Sequence, residues 1–174
     1  RDPSDGRESA LLLTLNPGTP DTAIVSGVGG TSGVALVEVY DLDAANTASR
    51  LINISTRGRV GTGQNVMIGG FVINGGGPRK VLIRAIGPSM SAAGVAGTLQ
   101  NPTLRLTTVD GQPVASNDDW GTAANATEIQ NLGRAPTDSR ESALLISLDA
   151  DTPYTPIVEG AGGTTGIALV EVYE

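Results

Sequence analysis

The sequence predicts an all-β protein, an antiparallel two-sheet β-sandwich of jelly-roll or immunoglobulin-like type with at most one or two short helices. Val, Ile, Leu and Ala recur in short dense runs, glycine is abundant at 24 of 174 residues, and aromatic residues make up only 3%. Runs of that kind separated by Gly-, Pro- and Asp-rich punctuation read as strands joined by turns, because those residues supply the backbone angles that turns need. The length suffices for one core of ordinary size.

An internal repeat organises the chain. Residues 1–41 align without a gap to residues 134–174 at an offset of 133, with 26 identities in 41 pairs. Arg7-Glu8-Ser9-Ala10-Leu11-Leu12 matches Arg140-Glu141-Ser142-Ala143-Leu144-Leu145, and Ala35-Leu36-Val37-Glu38-Val39-Tyr40 matches Ala168-Leu169-Val170-Glu171-Val172-Tyr173. The arithmetic makes 1–41 the C-terminal, three-strand part of a preceding repeat, 42–49 a polar, alanine-rich linker, and 50–174 one complete sandwich repeat. The opening Arg1-Asp2-Pro3 reads as an internal segment or a processed start.

Within the duplicated part, Glu8–Leu15, Thr22–Val28 and Gly33–Asp41 are expected strands, with counterparts at Glu141–Leu148, Tyr154–Ala161 and Gly166–Glu174. The Gly29-Gly30-Thr31-Ser32 segment and its copy read as hairpin turns. Their glycines miss the dinucleotide-binding fingerprint, since Ser32 and Thr165 stand at its last glycine. The unique part adds strands at Arg50–Thr56, Asn65–Asn74 with a Gly69-Gly70 interruption, Arg79–Ile86, and Thr103–Thr108 with Pro113–Ser116 around an Asp110-Gly111 turn. One short helix is expected over Ala126–Leu132, with Asn125 as N-cap, Glu128 closing a capping box and Gly133 ending it.

Composition narrows the chemistry. The formal charge is −7, from 18 acidic and 11 basic residues, and no basic run exists, so a phosphate backbone is repelled and nucleic acid is not an expected partner. No apolar run is long enough to enter a membrane. The chain has no cysteine and no histidine, which removes thiolate and imidazole metal sites, disulfides, and Cys- or Ser-His nucleophiles. Ser89 and Ser91 with Lys80 form no spacing that would make a Ser-Lys nucleophile. Asp118 and Asp119 are a carboxylate pair, but adjacent residues in a turn seldom face one another across a substrate as a glycosidase pair must.

Asn117-Asp118-Asp119-Trp120 is the most site-like stretch. Clustered oxygen ligands on a loop suit a hard cation, so Asn117, Asp118 and Asp119 are the candidate calcium ligands; the same residues also serve as plain turn formers beside a strand. Trp120 offers a face for a sugar ring or for core packing. Asn53-Ile54-Ser55 and Asn125-Ala126-Thr127 are glycosylation triplets.

Three stretches carry a family resemblance: Ser49-Arg50-Leu51-Ile52-Asn53-Ile54-Ser55-Thr56-Arg57-Gly58, Val81-Leu82-Ile83-Arg84-Ala85-Ile86-Gly87-Pro88-Ser89, and the ending Gly166-Ile167-Ala168-Leu169-Val170-Glu171-Val172-Tyr173. Together they resemble a β-sandwich repeat of very large secreted or surface proteins of environmental bacteria, Verrucomicrobia-like groups among them. The second half is also similar to the bacterial pre-peptidase C-terminal domain, through Asn101-Pro102-Thr103-Leu104, Asp110-Gly111, Ala115-Ser116-Asn117-Asp118-Asp119 and Thr152-Pro153-Tyr154. That likeness implies a non-catalytic sandwich module, some members of which bind calcium or carbohydrate. Asn101 departs from the aspartate common there.

The expected function is therefore structural: an extracellular or cell-surface repeat module that is not an enzyme and that joins other copies of itself head-to-tail into a filament by strand exchange. The alternative is a calcium- or glycan-binding module of a secreted protein.

Overall fold

The computed structural model describes residues 4–42 and 51–174, and the chain divides into two units, 1–51 and 52–174. The linker expected at 42–49 lies outside the described residues except for Leu42, as do Arg1-Asp2-Pro3 and Arg50.

The second unit is the two-sheet antiparallel sandwich. Its strands in chain order are β1 (Asn53–Val60), β2 (Met67–Ile68), β3 (Phe71–Val72), β4 (Arg79–Ile86), β5 (Pro102–Thr108), β6 (Pro113–Asn117), β7 (Ser142–Leu148), β8 (Pro153–Gly160) and β9 (Gly166–Tyr173). One sheet has the order β1-β9-β4-β7; the other has β2-β8-β5-β6, with β3 also on β8. Helix α1 (Ala126–Asn131) is the one α-helix among the described residues, beside several 3-10 turns.

Alternation sorts the side chains. Along β4, Val81, Ile83 and Ala85 point between the sheets, where they meet Leu104 and Leu106 of β5, Val158 of β8, and Ala168 and Val170 of β9. The outer face of β4 is covered too: Leu82 packs with Ala143, Leu145, Ile129 of α1 and the half-buried Trp120. Trp120 is thus a packing residue, and its indole nitrogen donates to the Asp138 carbonyl at 3.2 Å.

Three local expectations change. The Gly-rich turn between β8 and β9 is no hairpin, because β8 and β9 lie in different sheets and do not pair. Gly162 and Gly163 take φ of 64° and 76°, and a Cβ on Gly160 would sit 2.0 Å from the Thr164 carbonyl, so the chain folds tightly here to cross between sheets. The Gly69-Gly70 interruption splits one expected strand into β2 and β3, with the Gly69 N–H donating to Pro156 at 2.9 Å. At α1, Asn125 caps nothing with its side chain; its amide donates to Leu145 at 2.8 Å, while Glu128 pairs with Lys80 at 2.6 Å. The Asp110-Gly111 turn does join a hairpin, β5 to β6.

The first unit differs most from expectation. None of residues 9–42 lies in a strand, although 1–41 duplicates 134–174. The ladders supply the reason. In the complete unit β7 pairs only with β4, β8 with β2, β3 and β5, and β9 with β1 and β4. The three strands of 134–174 (the tail) never pair with one another; every partner comes from residues 52–117 (the head). A tail alone has no ladder to form.

Its turns nevertheless form alone. Arg7 grips Asp5 through its backbone N–H at 2.9 Å and through Nη2 at 2.7 Å, as Arg140 grips Asp138 at 3.0 and 2.8 Å. Gly29 has φ 66° where Gly162 has 64°, and Thr31 and Thr164 each donate at 3.0 Å to the carbonyl three residues back. In both Arg-Asp turns the guanidinium holds the carboxyl below its ordinary pKa, Asp5 at about 2.

Candidate functional site

The loop picked out by sequence runs from the end of β6 into a 3-10 turn at Trp120–Thr122. Its backbone carbonyls and the Asn117 side chain are engaged by protein donors. Asn117 Oδ1 accepts from the Ala143 N–H at 2.9 Å, and its amide donates to the Asp119 carbonyl at 3.1 Å. The Asp118 carbonyl accepts from Ser142 Oγ, and the Asp119 carbonyl accepts from Thr122 Oγ1 at 2.7 Å. Asn117 and Asp118 therefore tie the end of β6 to β7, while the Asp119 carbonyl closes the turn itself. Among the described residues no three acidic side chains gather as a metal site, and Asp119 Oδ1 is the one carboxylate oxygen that is buried without a protein hydrogen bond. Because the loop's geometry is held by protein donors, adding a chelator is expected to leave the melting temperature unchanged; a large drop that Asp118→Ala abolishes would contradict this.

The other residues singled out have structural partners. Asn53 on the exposed β1 donates its amide to the Val172 carbonyl at 3.1 Å, and the Asn125 amide donates to the Leu145 carbonyl, so both side chains are engaged with a tail strand. Ser89 Oγ donates to Glu141 at 2.6 Å, and Lys80 is engaged by Glu128, so the two do not meet as nucleophile and base.

The polar chemistry instead lies along the seam between head and tail. Glu141, at 0% exposure, immediately precedes β7. Its Oε1 accepts from the Gly87 N–H at 3.0 Å, the Ser89 N–H at 2.9 Å and Ser89 Oγ at 2.6 Å, all in the head. Ser142, also 0% exposed, donates to the Pro102 and Asp118 carbonyls. On the outer face of β9, Glu171 receives two bonds from Arg84 of β4, one of them from Nε at 2.9 Å. Arg84 also donates to the Arg134 carbonyl at 2.5 Å and lies 5.1 Å from the centre of the Tyr173 ring, with Arg134 at 4.5 Å. At the start of β9 the backbones meet: a Cβ on Gly166 would lie 2.5 Å from the Leu99 nitrogen. Sequence reasoning missed this seam, although charged Glu141 inside a strongly repeated Arg-Glu-Ser-Ala run was its available signal.

Burial raises the Tyr173 phenol above its ordinary value of 10.0, and the hydrogen bond to Glu171 and that carboxylate's charge raise it further. A raised pKa gives stability that is full below the unfolded value and is lost as pH climbs through the folded one. Thermal melts are thus expected to fall in temperature above about pH 10, and Tyr173→Phe to remove that part of the slope. An unchanged slope in the variant would count against the assignment.

No family model, curated protein or solved structure matches the chain.

Proposed function

We propose that the chain is a non-enzymatic structural module of an extracellular or cell-surface assembly, in which a three-strand tail is completed by the head of a neighbouring repeat. One observation carries the reading: the tail sequence occurs twice, forms three strands that each pair with head strands in the second unit, and forms no strand among the described residues of the first. Residues 4–42 leave Leu11, Leu12, Ile24, Val34 and Leu36 more than 80% exposed, a surface that invites association. Contacts of this kind join unlike surfaces, and unlike surfaces that do not close build filaments.

Removing residues 1–41 tests this. The remaining chain is expected to be a folded monomer, while the full chain self-associates with rising concentration. A full chain that light scattering finds monomeric at high concentration would refute the proposal.

A further inference from the structure

The head's slot, filled in this structure by residues 134–174, is one that we propose residues 5–41 also fit, so that the two tails are interchangeable donors for one acceptor. The inference deepens the proposed function and rests on it, naming the residues through which neighbouring repeats would join. In the alternative seat, 33–40 would take the place of β9 between β1 and β4, 9–15 that of β7 beside β4, and 20–27 that of β8 between β2–β3 and β5.

The pattern of retained residues carries the argument. Thirteen tail residues are buried in the complete unit: Pro136, Glu141, Ser142, Ala143, Leu145, Leu148, Tyr154, Pro156, Val158, Gly166, Ala168, Val170 and Glu171. Eleven of them are identical in the first copy, although 15 of the 41 pairs differ overall; the exceptions are Asp21 for Tyr154 and Ala23 for Pro156. The retained set includes the counterparts of residues that meet the head in the complete unit. Glu8 matches the carboxylate that accepts from Gly87 and Ser89, and Ser9 matches the hydroxyl that donates to Pro102 and Asp118. Glu38 and Tyr40 match the pair that meets Arg84. Gly33 is the sharpest case. Its φ lies outside the left-handed region and a Cβ there would meet nothing within 4 Å, so its own surroundings tolerate any side chain. Its counterpart Gly166 has the Leu99 backbone 2.5 and 2.6 Å from where a Cβ would stand.

The test uses the full chain with its own tail disabled. Gly166→Val drives a side chain into the Leu99 backbone, and Ala168→Asp puts a carboxylate at a 0% exposed core position. The head itself keeps every residue. Hydrogen exchange on this double variant is expected to show slowed amides moving from 142–173 to 9–40, with a rise of about a hundredfold or more at 9–40 over the unaltered chain. Adding Gly33→Val should abolish protection in both tails. Protection that stays at 142–173, or that vanishes from both tails in the double variant, overturns the inference. If the unaltered chain self-associates while the double variant gains no protection at 9–40, repeats join by another surface: the proposed function stands and this inference falls. If protection moves but the unaltered chain stays monomeric, the reverse holds.

Discussion

Replacing Glu141 with alanine is expected to destabilise the folded unit by about 3–5 kcal/mol, enough to threaten a domain of this size. The carboxylate is fully buried, and one oxygen gathers three donors from the turn after β4. Alanine strands the N–H groups of Gly87 and Ser89 and the Ser89 hydroxyl together, and each buried donor left without an acceptor costs about 1–3 kcal/mol. Glu141→Gln keeps an oxygen where those donors point and should cost only about 1–2 kcal/mol. Denaturant unfolding checks both. An alanine variant within about 1 kcal/mol of the unaltered protein would mean that the turn finds other acceptors. Glu8→Ala, at the matching position of the first unit, should leave the same unfolding transition unmoved.

Glu171→Ala is expected to cost about 3 kcal/mol, the scale on which breaking a buried ion pair leaves the surviving charge uncompensated. The Arg84 and Glu171 side chains are 16% and 11% exposed, so water screens them little. Arg84 would keep its bond to the Arg134 carbonyl and its place by the Tyr173 ring, which limits the loss. A double-mutant cycle with Arg84→Ala should give a coupling energy of about 1–3 kcal/mol. Additive single effects would show that the pair only fills space.

The strands were legible where alternation and turn chemistry agreed. Arg79–Ile86 was read to the residue, and Asp110-Gly111 marked its hairpin. Asn53–Val60 ends four residues beyond the expected Thr56 because β9 pairs with it along its whole length, and the pairing residues lie more than 100 positions away. The Gly-rich turns were recognised but assigned the wrong connection. Glycine at positive φ permits a hairpin and a crossover alike, and only the choice of partner strand separates them. The Asn117–Asp119 loop was noticed for its oxygens. Its hydrogen bonds to Ala143 and Ser142 belong to the packing of β6 against β7, which no local spacing announces.

By itself, the sequence determined the class of fold, the 133-residue period and the local turns, which take the same angles in both copies because their hydrogen bonds close within a few residues. Tertiary structure decided whether those turns are joined by strands. An extended segment becomes a strand only when another supplies its missing donors and acceptors. Val158 is 0% exposed in β8, which pairs with β5 and β2, whereas Val25, the same residue in the other copy, is 59% exposed in a segment that forms no strand.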